Sequence, residues 1–150
     1  MANTYSNLLF HVVFSTKNRL PLIQTSFKRD LYSYIGGIIR NKKASLIEIG
    51  GMPDHVHLLM KLKTDMAVSD ILRHIKRGSS KWINSHMENE SKFAWQDGYG
   101  VFTVSESQTE SVTHYIRNQA EHHCRKTFQE EYLDFLKRHR VEFDERYLWN

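Results

Sequence analysis

The chain has 150 residues, with 21 Lys and Arg against 17 Asp and Glu, for a formal net charge of +4. A chain of this length suits one domain, spanning 1–150, that buries roughly 70% of its unfolded surface without help from disulfides or a structural metal. The single cysteine, Cys124, excludes an internal disulfide framework, and no apolar run approaches the roughly 20 residues that span a bilayer. With no basic leader or small-residue cleavage site at the start, the expected location is cytoplasmic, with no membrane attachment. Seven Gly, two Pro and no repeats argue against fibrous and disordered classes.

Residues 5–15 are apolar, β-branched and aromatic, a pattern that predicts a strand buried on both faces. Phe27, Leu31, Ile35, Ile38 and Ile39 recur at helical spacing and predict a helix over 26–41, weakened by Gly36 and Gly37. Strands are expected at 44–51 and 55–62, separated by a turn at Pro53 and Asp54. Val68, Ile71, Leu72, Ile75, Trp82 and Ile83 then mark one stripe of a helix over 69–87. After a polar stretch, residues 99–104 read as a fourth strand. The order βαββαβ is the ferredoxin-like or RRM-like arrangement, an α+β antiparallel sheet with helices on one face. Two capping-box patterns follow, Ser107 to Glu110 and Thr127 to Glu130, predicting helices to about His123 and His139. The tail after them alternates acidic and large apolar groups and is expected to pack back on the fold.

The sharpest motif is Met52-Pro53-Asp54-His55-Val56-His57-Leu58-Leu59. Strand side chains alternate, so His55 and His57 share one face, at a spacing that suits two imidazoles on one metal ion. A His-x-His pair also arises by chance, and two partly buried histidines would look the same. Tyr115 and Gln119, at i and i+4, share a helical face. They offer a phenol nucleophile and an amide-oxygen ligand, or simply a core tyrosine beside a surface glutamine. Asp54 is read either as a turn residue or as an orienter of a histidine. His11 is read as a satisfied core histidine, and His114, His122 and His123 as surface histidines flanking the tyrosine helix.

Taken in order, residues 14–19, the block from Met52 to Leu59, Gly98-Tyr99 and the run Tyr115-Ile116-Arg117-Asn118-Gln119 resemble the HUH single-tyrosine transposases of the smallest bacterial insertion sequences. The likeness covers about residues 5–123. The segment 124–150, ending Arg146-Tyr147-Leu148-Trp149, looks more like the tail of their domesticated relatives, the REP-associated tyrosine transposases. The resemblance implies that Tyr115 attacks a phosphodiester of single-stranded DNA at hairpin-bearing element ends. It would leave a 5′-phosphotyrosyl enzyme and a free 3′-hydroxyl that later rejoins strands. It further implies His55, His57 and Gln119 as ligands of Mg²⁺ or Mn²⁺, with Mn²⁺ favoured by two imidazoles. A homodimer is expected, in which the tyrosine helix of one subunit can complete the other's site.

Lys17, Arg19, Arg73, Lys76, Arg77 and Lys81 are the expected DNA-backbone contacts, with a solvated helix face as the plainer reading. Residues 1–81 hold 13 basic and 5 acidic side chains, and residues 82–150 hold 8 and 12, so the modest net charge hides a polar split. Three other readings differ in what they require. A non-catalytic RRM-like nucleic-acid-binding module would need stacking aromatics on the sheet, and no such motif stands on the first strand. A metal hydrolase would work without the tyrosine. A domesticated REP-associated endonuclease would keep the chemistry but act on dispersed palindromes.

Overall fold

The computed structural model describes residues 3–87 and 92–149. Strand β1 (Leu8–Ser15) lies at the heart of a four-stranded antiparallel sheet, between β3 (His55–Leu62) and β4 (Gly100–Val104), and β2 (Ser45–Met52) forms the far edge beside β3. Its central position explains its composition, because Val12, Val13 and Phe14 are wholly buried although they point to opposite faces. The order β2-β3-β1-β4 is the ferredoxin-like one expected from the sequence.

One face packs against α1 (Thr25–Asn41) and α2 (Val68–His86), whose stripes of Leu31, Ile35, Ile39, Leu72, Ile75 and Ile83 meet Val12, Phe14, Val56, Leu58 and Met60. Gly36 and Gly37 do not interrupt α1. Trp82 is only partly buried and stacks on Tyr34 at 5.2 Å, at the rim of this core. Trp95, in the stretch before β4, is buried and donates its indole N–H to Ser79 Oγ at 2.9 Å. The polar stretch expected at 84–92 falls partly in α2, and its residues 88–91 lie outside the described residues.

The expectation of helices on one face is extended by the structure, which covers the second face too. There, α3 (Thr109–Arg117), α4 (Gln119–His122) and α5 (Phe128–Arg138) lie over the sheet. Phe128, Tyr132, Phe135 and Leu136 of α5 bury against Val13 and Phe102. A single helix over 107–123 is not what forms. Residues 106–108 make a 3-10 turn, Ser107 pairs with Ser105 instead of capping, and the helix breaks at Asn118 (φ −103°, ψ 33°). The Asn118 side chain donates to the His114 carbonyl at 2.8 Å, a local bond that competes with helix propagation. The second capping box does form, with Thr127 Oγ1 accepting from Glu130 N–H. A last short helix, α6 (Glu145–Leu148), brings Leu148 and Trp149 back against the α5 cluster, while Val141, Phe143 and Tyr147 stay exposed, so only the end of the tail packs on the fold. No helix among the described residues is long and apolar enough to cross a membrane.

Register and a glycine place α3. Gly50 pairs with His57 and shares its face. A side chain there would fall inside contact distance of the Ile116 carbonyl and within 3.0 Å of Ile116 Cγ2. Only hydrogen at this position lets α3 lie so close. Gly50→Ala should therefore cost about 1–3 kcal/mol as α3 is pushed away. Gly37→Ala, in open helix with no neighbour nearer than 4.0 Å, should gain about 0.5–1 kcal/mol. Urea denaturation of both variants measures the contrast, and equal effects would contradict the close-approach role of Gly50.

Candidate functional site

Alternation along β3 turns Val56 and Leu58 to the α1–α2 core and His55 and His57 to the other face, where both are fully buried. β1 runs antiparallel to β3 with Val13 opposite His57, so His11 stands diagonally across from His57 on the same face. The His11 Nε2 and His57 Nδ1 atoms are 2.8 Å apart. His55 donates Nδ1–H to Asp54 Oδ1 at 2.6 Å. His123 donates Nδ1–H to the Lys126 carbonyl at 2.7 Å. Three imidazoles thus have one ring nitrogen occupied by a neighbour and the other, Nε2, turned toward a common centre.

At that centre lies Glu131 of α5. Its Oε1 is 2.9 Å from His57 Nε2, 3.3 Å from His123 Nε2 and 3.5 Å from His55 Nε2. Its Oε2 accepts a short hydrogen bond from the Tyr115 hydroxyl. Gln119 Oε1 is 3.0 Å from both His55 Nε2 and His123 Nε2. His55, His57, His123 and Glu131 therefore form a group able to hold a metal ion. The donor set fits one: five atoms of ligand type converge, and their separations of 2.9–3.5 Å are those of neighbouring ligands around a cation with bonds of about 2.1 Å. Three imidazoles and a carboxylate suit a transition metal such as manganese better than magnesium.

The electrostatics follow from burial and from Glu131. Burial alone would raise the Glu131 pKa, but hydrogen bonds from His123 and His57 outweigh it and hold the carboxylate well below its ordinary range. Burial lowers the His57 pKa against the opposing pull of Glu131. Burial would also lower that of His123, but its bond to Glu131 and the carboxylate's charge reverse the sign and raise it. Burial and the Glu131 charge push the Tyr115 phenol above its usual range.

Residues 4–119 match the family model described as "Transposase IS200 like". The chain belongs to that family. It is 28% identical over 127 residues to the transposase for insertion sequence element IS200 of Salmonella typhimurium, covering 81% of this chain and 82% of that one. The ISDra2 transposase TnpA of Deinococcus radiodurans is 25% identical over 117 residues, 75% of this chain and 84% of that one. A crystal structure of a candidate transposase from Deinococcus radiodurans superposes with a TM-score of 0.64 at 25% identity, covering 79% of this chain and 95% of the other. A REP-associated tyrosine transposase bound to a REP hairpin shares the fold, with a TM-score of 0.61 at 17% identity over 81% of this chain and 73% of that one.

Within this transposase the four central sequence candidates, His55, His57, Tyr115 and Gln119, meet at one centre. The basic candidates do not join them. Arg73, Lys76 and Arg77 line a separate groove of about 610 Å³ beside α2, on the opposite side of the sheet. Arg73 pairs with Asp70 at 3.2 Å and, like Arg77 and Lys81, is exposed. Lys76 is half-buried, tethers the carbonyls of Asp97 and Gly98, and has its pKa lowered by burial to about 8. Lys17 is exposed at the end of β1, while Arg19 stacks over Trp149 and donates to its carbonyl.

Sequence reasoning passed over Glu131, took His123 for a surface group and His11 for a core one. A signal existed for Glu131. Phe128, Glu131, Tyr132, Phe135 and Leu136 repeat at i, i+3, i+4, i+7 and i+8, which sets a carboxylate on an apolar stripe. His11, with its pKa lowered to about 3 by burial and then by His57, stays neutral and can accept from or donate to His57.

These shifts set a pH dependence. His11 and His57 have depressed pKa values, so the stability they contribute is present above the unfolded value of 6.5 and is lost as pH falls below it. His123 has the opposite sign: its contribution is complete below 6.5 and is lost only as pH rises through its raised value. Glu131 matters only near and below its unfolded value of 4.5. Urea denaturation between about pH 6.5 and about pH 5 should thus show stability falling by up to about 1.4 kcal/mol per unit for each of His11 and His57. A flat profile over that window would contradict neutral burial.

Proposed function

We propose that this IS200-like transposase cleaves and rejoins single-stranded DNA at hairpin-bearing ends, with Tyr115 as nucleophile and a divalent cation, Mg²⁺ or Mn²⁺, held by His55, His57 and Gln119. The observation that carries this reading is the meeting of a tyrosine hydroxyl with a buried histidine pair and an amide oxygen at one centre.

The phenol oxygen of Tyr115 attacks phosphorus as its proton passes to Glu131 Oε2, and a P–O–tyrosine bond forms. The P–O bond to the 3′ oxygen of the preceding sugar breaks, that oxygen taking up one proton as it leaves. The products are a 5′-phosphotyrosyl chain and a free 3′-hydroxyl, and the reverse attack by such a hydroxyl rejoins strands. Tyr115 is held for this by its bond to Glu131 and by the ring of His122, 4.3 Å away. A cleft of about 640 Å³ opens beside it, lined by Arg125, Arg138 and an ion-paired Lys126 together with Glu121, Glu131 and Asp134, and Arg125 and Arg138 are the cations there that could meet a phosphodiester. The bound cation would make phosphorus more electrophilic and offset charge on its non-bridging oxygens. A phenol held above its ordinary pKa is a poor nucleophile unaided, which is why the cation belongs to this reading.

Lys17, Arg73, Arg77 and Lys81, all exposed, are the proposed contacts to the DNA backbone away from the reacting phosphate, with Lys76 shaping the groove of Arg73 and Arg77, and Arg19 reaching DNA only if Trp149 releases it. The proposed assembly is a homodimer in which each chain carries its own nucleophile beside its own histidine pair. A domesticated REP-associated endonuclease is the second reading, favoured by a tail that continues past the matched family region and docks through Trp149 on Arg19 and Tyr132.

Incubation of the full chain with labelled hairpin-bearing single-stranded DNA and Mn²⁺ should give a denaturation-resistant adduct. Tyr115→Phe should abolish it, a loss of at least about 10³-fold, and His57→Ala should reduce it by about 10²-fold or more. Cleavage that survives Tyr115→Phe would point to a hydrolase instead, and binding with no cleavage to a recognition module.

A further inference from the structure

Glu131 and His123 lie beyond residue 119, where the family match ends, yet both reach the centre of the site. Glu131 Oε1 is closer to His57 Nε2, at 2.9 Å, than any other polar atom of the site is to that nitrogen among the described contacts. His123 Nδ1–H is committed to a backbone carbonyl, which leaves its Nε2 as the atom facing Glu131 and Gln119. His55 is committed in the same way through Asp54. For His57 the partner is His11, whose Nε2 can give a hydrogen to His57 Nδ1 or take one from it. Without a cation the Glu131 carboxylate takes hydrogen bonds from these groups; with the Nδ1 side of each ring committed, each imidazole can instead turn a lone pair at Nε2 to a cation when its proton is displaced.

We infer that the cation of this transposase is held by His123 and Glu131 in addition to His55 and His57, so that the segment after the family core completes the metal centre. This rests on the reading of the site as cation-dependent. Gln119, whose oxygen touches His55 and His123, stays in the set, which His123 and Glu131 extend beyond three residues. Glu131 has a second task, because its other oxygen carries the Tyr115 hydroxyl. One carboxylate therefore ties the nucleophile's position to the metal centre. The donors also predict selectivity: three imidazoles with one carboxylate favour Mn²⁺ or Co²⁺ over Mg²⁺.

The test is Mn²⁺ binding by the full-length chain without DNA, followed by calorimetry and by loss of the free-ion EPR signal, with Co²⁺ absorption as a second readout. Glu131→Gln and His123→Gln should each weaken Mn²⁺ binding at least tenfold and alter the spectrum of bound Co²⁺. Glu130→Gln, a change at the neighbouring exposed capping residue, should leave both unchanged. If either of the first two variants fails to fold by circular dichroism, Glu131→Asp, which keeps the charge on a shorter arm, is titrated in its place and should still bind more weakly than wild type. Wild-type affinity in folded Glu131 and His123 variants, alongside lost binding in His57→Ala, would overturn the inference and leave the strand-transfer reading standing. Tight binding that depends on Glu131 and His123, but with no Tyr115-dependent DNA adduct, would support the inference and remove that reading instead.

Discussion

An ionised carboxylate buried under a helix is stable only if cations or hydrogen-bond donors surround it, and the second face of this protein is organised around that requirement. Removing a carboxylate from water costs several kcal/mol even after relaxation. Glu131 meets the cost with His57, His123 and the Tyr115 hydroxyl. Burial of Phe128, Tyr132, Phe135 and Leu136 on the same helix contributes about 1.5–3 kcal/mol apiece. Docking of α5 is therefore favourable overall, and it delivers the carboxylate to the histidines. Without the imidazoles the helix would have to bury an unpaired charge. Without the helix the imidazoles would face solvent on an open sheet.

The same face depends on what the sheet leaves out. Gly50 lets α3 approach to backbone contact, and Gly100, opposite Val13, leaves room for the Tyr132 hydroxyl and the Phe102 ring. These two glycines flank the histidine row on either side. They set how deeply the tyrosine helix and the carboxylate helix seat, and so whether the Tyr115 hydroxyl reaches Glu131. Sheet register, loop-borne orienters and two absent side chains thus act together on one group of atoms.

Much of this was readable from the chain. The βαββαβ order follows from hydrophobic period, and the shared face of His55 and His57 follows from strand alternation, because both rules are local. Tyr115 and Gln119 reach the site as their i, i+4 spacing suggests, even though Asn118 breaks the helix between them. What could not be read depends on tertiary contact. His123 continues the i, i+4, i+8 series of Tyr115 and Gln119, so helical spacing does put it on their face; what spacing alone does not show is that α5 covers that face and buries the imidazole against Glu131. His11 is a core histidine by burial and a partner of His57 by register, and only strand pairing joins those descriptions. Glu131 stood on an apolar stripe, but next to Glu130 of a capping box it read as one more acidic residue at a helix start. The α2 cations lie across the sheet from Tyr115, which only the layer order reveals.

The account turns on a covalent bond at one oxygen. The most direct measurement is mass spectrometry of the protein–DNA adduct after protease and nuclease digestion, with fragmentation of the peptide that contains both Tyr99 and Tyr115. The account predicts a nucleotide joined through its 5′ phosphate to Tyr115. Attachment to Tyr99, or strand cleavage with no modified peptide, would contradict it.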